Sequence, residues 1–295
     1  MSIVVTTPTG NIGRVLTDAL LDRGEKVTLI ARDPARVEDF ARRGAEVVQG
    51  SHGDAELLTR ATRGAEALFV LVPPDMTTSD LRGHYRHFGA AAAAAIKDNA
   101  IPHVVHLSSV GAELSEGNGP VAGLHISEGL LSEVATNLIQ LRPGYFMENT
   151  LGQIPSIKQA GGLFTGLPGG HRFPMIATRD IGKRAAELLA RRDWSGINVV
   201  ELQGPGDTSY DEVAGVLSEV LGLQLKHTQV GPDQMRAALT GMGMSEEAAN
   251  AIIELSDGIE QGKVKFHEPR SESNTTPTTY PEFAQQVFKP AFDAS

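Results

Sequence analysis

The sequence predicts an α/β protein: a doubly wound parallel sheet with a small α/β carboxyl-terminal lobe. Two observations carry that prediction. The chain opens on a β-branched run, Ile3-Val4-Val5, followed at once by a Thr/Pro/Gly turn and an amphipathic helix with Ile12, Val15, Leu16, Ala19 and Leu20 on one side. Strand and helix signals then alternate through the first half, which is the pattern of a parallel sheet covered on both faces. Right-handed crossovers place the carboxyl ends of such strands along one edge, where ligands bind.

The strands are expected near 2–7, 26–31, 45–49, 66–72, 103–108 and 137–142, and the helices near 11–23, 34–43, 54–63, 79–99 and 124–135. The first strand, turn and helix have the layout that holds a dinucleotide pyrophosphate in a Rossmann domain. A helix N-terminus presents unpaired N–H groups and a partial positive charge. Gly10 allows close approach to the turn, and Gly13 lets the helix pack tightly on the strand. Thr7 stands where a further glycine is usual, and fits poorly if that position needs a positive φ. A plain turn without ligand is the alternative.

The second strand ends at Arg32-Asp33-Pro34. An acid at this strand end favours a ribose hydroxyl and an arginine a 2′-phosphate, so Arg32 leads the reading toward NADP(H) over NAD(H). The third strand ends at Gly50-Ser51-His52-Gly53-Asp54. There His52 either stacks on an adenine or sits exposed in the loop, and Asp54 caps the next helix. The fourth ends in Val72-Pro73-Pro74, an apolar wall without N–H donors at its prolines. The alanine run Ala90–Ala95 reads as tight packing on the sheet or as a dimer interface. The fifth strand leads to Ser108-Ser109, hydroxyls facing a nicotinamide or mere turn residues.

His125 and Glu128, three apart, share a helix face and form either a proton relay or a surface ion pair. Tyr145, Phe146 and Met147 follow the sixth strand as candidate pocket walls. Beyond residue 150 the pattern changes. A loop-rich stretch at 161–175 is expected to cover the pocket with Phe164, His171, Phe173 and Met175, and Asp180 to cap a helix through Ala190. A strand at 198–202, helices at 210–221, 232–260 and 281–292, and a loop at 268–279 complete the chain.

Composition narrows the function. With 26 basic and 36 acidic residues the formal charge is −10, so polyanions such as nucleic acid are poor partners. There is no cysteine, hence no thiolate nucleophile, disulfide or zinc–thiolate site, and no metal is expected. The start lacks a basic leader and no apolar run approaches a membrane span, so a cytoplasmic location and no membrane partner are expected.

The turn Thr9-Gly10-Asn11-Ile12-Gly13, the strand end Ala31-Arg32-Asp33-Pro34 and the block Leu141-Arg142-Pro143-Gly144-Tyr145-Phe146-Met147-Glu148-Asn149 resemble the NmrA-like family of atypical short-chain dehydrogenase/reductases. Gly123-Leu124-His125 with Glu128, and Thr178-Arg179-Asp180-Ile181-Gly182, are similar to it too. The resemblance implies an NAD(P)-binding Rossmann domain over 1–150. It also implies a smaller substrate or lid lobe over 151–295, some of whose segments return to the sheet. By position it assigns the phosphate turn to Thr7 through Gly13, with Thr9, Gly10, Asn11 and Ile12 between them, the 2′-phosphate contact to Arg32 and the fourth-strand contact to Val72 and Pro73; Ser51 and Ser108, at the ends of the third and fifth strands, complete the expected cofactor contacts. Three departures stand out: Thr7 for glycine, Gly50-Ser51 where the family often has Gly-Asp, and no Tyr-x-x-x-Lys over 124–135.

Three functions remain open at this level. One is an NADPH-dependent reductase of a quinone, enone or similar conjugated small molecule. Hydride attack on such acceptors needs little acid help, which suits a site without Tyr and Lys. It would use His125 as proton donor, Ser109 as carbonyl contact, and Tyr145 and Phe146 as stacking walls. The second is a non-catalytic NADP(H)-sensing regulator, and the third a scaffold reused for non-redox isomerase or cyclase chemistry. A small-molecule substrate is the expected partner and a homodimer the candidate assembly.

Overall fold

The computed structural model describes Ser2 to Ser295. Seven strands form one parallel sheet: β1 (Ile3–Val5), β2 (Val27–Ala31), β3 (Glu46–Gln49), β4 (Ala67–Val70), β5 (His103–Leu107), β6 (Asn137–Pro143) and β10 (Gly196–Leu202). Their spatial order is β10-β6-β5-β4-β1-β2-β3. The direction of winding reverses between β1 and β4, and the crevice at such a switch is where open α/β sheets bind ligands. Here the two strand ends are tied, because the Leu71 N–H donates to Thr6 Oγ1 at 3.2 Å.

Between the strands run α1 (Asn11–Asp22), α2 (Glu38–Arg42), α3 (Ala55–Ala61), α4 (Leu81–Asn99) and α5 (Val121–Ser132). Alternate residues of each strand supply opposite faces. Val5, Leu29 and Phe69 pack under Leu16 and Leu20 of α1 on one side. Val4, Leu68 and Val104 pack under α3, α4 and α5 on the other. The alanines of α4 face inward, with Ala91, Ala92 and Ala95 buried in this second core. The run packs on the sheet as expected, with α4 lying between α3 and α5. The expected helix at 34–43 is split. Asp33 caps a 3₁₀ turn at Pro34–Val37, and α2 begins only after it.

After β6 come β7 (Tyr145–Phe146), α6 (Ile154–Ala160), β8 (Gly162–Thr165), β9 (Phe173–Ile176), α7 (Thr178–Arg191), β11 (Asp207–Thr208), α8 (Tyr210–Leu221) and β12 (Lys226–Gln229). Then follow α9 (Pro232–Gly241), α10 (Glu246–Glu260), α11 (Tyr280–Phe283), a π-helical turn at Ala284–Phe288, and α12 (Lys289–Ala294). Two segments rejoin the large sheet. β10 pairs with β6, and α7 packs on α1. The α1–α7 approach is close because Gly182 has no Cβ; one there would lie 2.8 Å from the Ile12 carbonyl oxygen.

The remaining segments build a third core around Met175, Tyr210, Val213, Leu217 and Phe283. The stretch 161–175 is loop-rich as expected, and two short strands flank its loop. It supplies β8, which pairs with β12, and β9, which pairs with β7 and β11. Asp180 does not cap α7. The helix starts two residues earlier, and the Asp180 carboxylate instead accepts the Thr278 N–H at 3.0 Å. The expected helix over 232–260 breaks at Gly243, whose φ is +91°, and Ser245 caps α10.

Candidate active site

The turn after β1 is shaped by one forced glycine and one free one. A Cβ on Gly13 would sit 1.8 Å from the Thr7 carbonyl oxygen, so only glycine lets α1 start here. A Cβ on Gly10 would meet nothing nearer than that same oxygen at 3.9 Å. The space before Gly10 is therefore open, and no side chain caps the amino end of α1. Thr7 lies outside the positive-φ residues, so it replaces a glycine without left-handed strain. Its buried Oγ1 has no hydrogen-bond partner. An open cradle, uncapped helix N–H groups and an orphaned hydroxyl together fit a dinucleotide pyrophosphate. Thr9, Asn11 and Ile12 line the same turn, Ile12 with its side chain in the core.

At the end of β2 the two candidate ribose contacts are sorted by their bonds. The Asp33 carboxylate accepts the Ala35 N–H at 3.1 Å as the cap of the 3₁₀ turn. Arg32 is exposed and makes no ion pair among the described residues. The nearby Arg14 is held by Asp39 at 2.6 Å. Arg32 is thus an exposed, unpaired cation at this strand end.

After β3, Ser51 Oγ accepts the Gly53 N–H at 3.2 Å, and Asp54 caps α3 as expected. His52 is neither exposed nor free to stack on a nucleotide base. It is 8% exposed, with its ring 4.6 Å from that of Phe88 on α4. Burial, with Arg32 and His84 close by, pushes its pKa down to about 4.

At the ends of β4 and β5, Val72 is buried and the Pro73 carbonyl accepts from His84 Nε2 at 2.8 Å. Ser108 Oγ is buried without a partner, while Ser109 Oγ donates to the Val110 carbonyl at 3.1 Å. His125 stands on α5 and its Nδ1 contacts the Ala112 carbonyl at 2.8 Å. A carbonyl only accepts, so Nδ1 carries the proton and Nε2 is the open nitrogen.

The expected His125–Glu128 relay is not formed. Both oxygens of Glu128 are taken by Arg142, from Nε at 2.9 Å and Nη2 at 2.6 Å. The strong bidentate match of guanidinium to carboxylate turns Glu128 away from the imidazole. In the sequence Arg142 stands out as part of the family-like block at the end of β6, with no sign of its partners.

The aromatic candidates divide between wall and core. Tyr145 OH lies 2.9 Å from Tyr210 OH, and burial raises both phenols above their ordinary pKa. Phe146 and Phe164 are half-buried. Met147 is 2% and Phe173 5% exposed, both packed in the lobe core with Met175, which removes them as open walls. His171 is half-buried and stacks on Phe173. Glu148 had no assigned role. It accepts from the N–H and hydroxyl of Thr178, tying the end of β7 to the start of α7.

The cover over the strand ends is the α9–α10 hairpin. Ser245 N–H donates to the Met76 carbonyl at 2.9 Å, and Ser245 Oγ donates to that of Thr78. Glu247 accepts the Leu81 N–H at 2.9 Å, and Glu254 accepts that of Gly117 at 2.9 Å. The hairpin thereby bridges the loops that leave β4 and β5. Beside it, the loop at Glu113–Gly117, Glu254 and the segment Gly262–His267 line an open cavity of about 610 Å³. These contacts join residues more than a hundred positions apart, so no local pattern could have shown them.

Comparison with known proteins agrees with this arrangement. The profile of the NmrA-like family matches residues 1–283. The (4-alkanoyl-5-oxo-2,5-dihydrofuran-3-yl)methyl phosphate reductase of Streptomyces griseus is 33% identical over 238 residues, covering 80% of each chain. The NAD(P)H azoreductase of Xenophilus azovorans is 27% identical, over 86% of this chain and 85% of that one. The NADPH-dependent quinone oxidoreductase of Escherichia coli, solved with NADPH, superposes with a TM-score of 0.81 at 22% identity, over 97% of this chain and 99% of that one. The Rossmann turn, the Arg142–Asn149 block and the match over residues 1–283 lead to one conclusion: the chain belongs to the NmrA-like family.

Proposed function

We propose that this protein is an NADPH-dependent reductase of a quinone, enone or similarly conjugated small molecule, acting in the cytoplasm. The observation that carries the reading is the pairing of an open phosphate cradle with an unpaired Arg32 at the ribose end, while Asp33 is already engaged. Relatives named as reductases of a butenolide phosphate and of azo compounds support the acceptor class.

Thr7 to Gly13 would hold the pyrophosphate, Arg32 the 2′-phosphate, and Ser51, Val72, Pro73 and Ser108 would flank the rest of the cofactor. Bound there, NADPH supplies a hydride. His125 takes up a proton from water at Nε2 and delivers it to the acceptor oxygen, while its Nδ1–H stays on the Ala112 carbonyl. Ser109 is placed to meet the acceptor carbonyl once its hydroxyl leaves Val110. Tyr145, with its phenol held neutral against Tyr210, and Phe146 and Phe164 offer flat apolar contact. The edge strand β10, with Ile197 and Val199 about half exposed, supports a homodimer through that edge, which light scattering would test.

The test is a fluorescence titration with NADPH and, separately, NADH. Arg32→Ala should weaken NADPH by about tenfold or more and leave NADH unchanged. An acceptor screen with quinones and enones follows, in which His125→Ala should lower kcat by about 100-fold. Binding without turnover of any acceptor would favour a cofactor-sensing regulator. No binding of either nucleotide would refute the cofactor site.

A further inference from the structure

We propose that Arg142 is a positioning residue for His125, acting on both structures between which that imidazole is held; the inference rests on the reading of His125 as proton donor. The ring is carried by α5 and oriented by the Ala112 carbonyl, which belongs to the loop after β5. Arg142 is bonded to each of these. Its Nε and Nη2 grip Glu128, one turn along α5 from His125, at 2.9 and 2.6 Å. Its Nη1 grips Glu113, the residue next to Ala112, at 2.9 Å.

One planar group therefore sets the distance and angle between helix and loop, and with them the hydrogen bond that fixes the tautomer. The Arg142 and Glu128 side chains are only 10% and 11% exposed, so water competes little for these bonds. The other charged groups facing the cluster are already engaged. Glu201 accepts the N–H groups of His267 and Glu268 at 3.0 and 2.9 Å, and His267 Nδ1 lies 3.2 Å from it. A lysine at 142 would offer one ammonium where three fixed donors are needed, so it keeps the charge and loses the geometry.

The experiment is a double-mutant cycle with an independent view of the ring. Arg142→Lys is measured alone and on His125→Ala, with saturating NADPH and a water-soluble benzoquinone. Alone it should lower kcat by about tenfold while KM and NADPH affinity hold. On His125→Ala it should cost nothing further, because there is no imidazole left to misplace. Without any cofactor, ¹⁵N NMR of the imidazole should show Nδ1 protonated in the parent and a mixture of tautomers in Arg142→Lys.

Equal losses on both backgrounds, an unchanged kcat, or an unchanged tautomer would overturn the proposal. If His125→Ala alone keeps full kcat, the proton-donor reading falls instead, and the ¹⁵N spectra still decide whether Arg142 orients the ring. Should Arg142→Lys not fold, Glu113→Ala cuts only the loop arm, at a side chain 29% exposed, and runs through the same cycle.

Discussion

The buried His52 should make this protein lose stability in mild acid, through a mechanism that one substitution can remove. Its ring lies under Phe88, and burial first, then the charges of Arg32 and His84, hold its pKa at about 4 against an ordinary 6.5. The Leu71 backbone works in the opposite direction and is outweighed. The unfolded chain takes up a proton near pH 6.5 that the folded chain refuses until about pH 4. Above pH 6.5 the group contributes no pH dependence. Between those limits folding loses stability as pH falls, by about 3 kcal/mol at the lower end.

Urea unfolding of the parent and of His52→Asn, at steps from pH 7.5 to 4, measures this. Asparagine keeps an N–H donor near the position of Nδ1 but does not titrate. Its looser packing against Phe88 lowers stability by the same amount at every pH. Carboxylates titrate equally in both proteins and cancel in the difference. The parent should therefore lose about 3 kcal/mol more than His52→Asn across the window. Parallel curves would refute the reasoning and mean that the ring is hydrated or already charged at neutral pH.

The two turn glycines should separate folding from binding. Gly13→Ala forces a Cβ to within 1.8 Å of a backbone oxygen and should cost about 3 kcal/mol or more by thermal unfolding, whereas Gly10→Ala should melt like the parent yet bind NADPH more weakly. Glu128→Gln leaves the buried Arg142 guanidinium with half its compensation and should destabilise by about 3 kcal/mol at pH 7, read by urea denaturation. Ser245→Ala removes both the cap of α10 and its bond to Thr78; hydrogen exchange over 232–260 should speed up about fivefold, with β1 and β4 unchanged.

What could be read from the sequence was what is local. The six strands and four of the five helices of the first half announce themselves through β-branched runs and amphipathic spacing and appear within a few residues of their expected bounds, whereas the helix at 34–43 is split by its 3₁₀ turn. The φ objection to Thr7 falls, because the turn closes without a left-handed residue there. The second half was harder because its strands are short and pair across distance. β7 and β11 are two residues each, and β9 has its partners about 30 positions before and 35 after it, as Tyr145↔Met175 and Phe173↔Thr208 show. Neither leaves a periodic signal. Glu128 shows the same limit at the site. Its spacing from His125 is legible, but its partner is fixed by Arg142 arriving on β6, 14 positions later.

That exchange of partners constrains the chemistry. With both Glu128 oxygens on Arg142, no carboxylate among the described residues bonds to His125; a backbone carbonyl does. A carbonyl orients an imidazole without accepting its proton, so no chain of acids leads from the site to solvent through this residue. In the proposed mechanism the proton that His125 delivers is replaced at Nε2 itself, from water. Such a donor can serve an acceptor whose negative charge is spread over a conjugated system and can wait for its proton. It serves poorly for an isolated ketone, whose alkoxide needs protonation as it forms. On this reading the protein should reduce quinones and enones far faster than simple ketones. Comparable rates on the two classes would show that a further acid operates in the site.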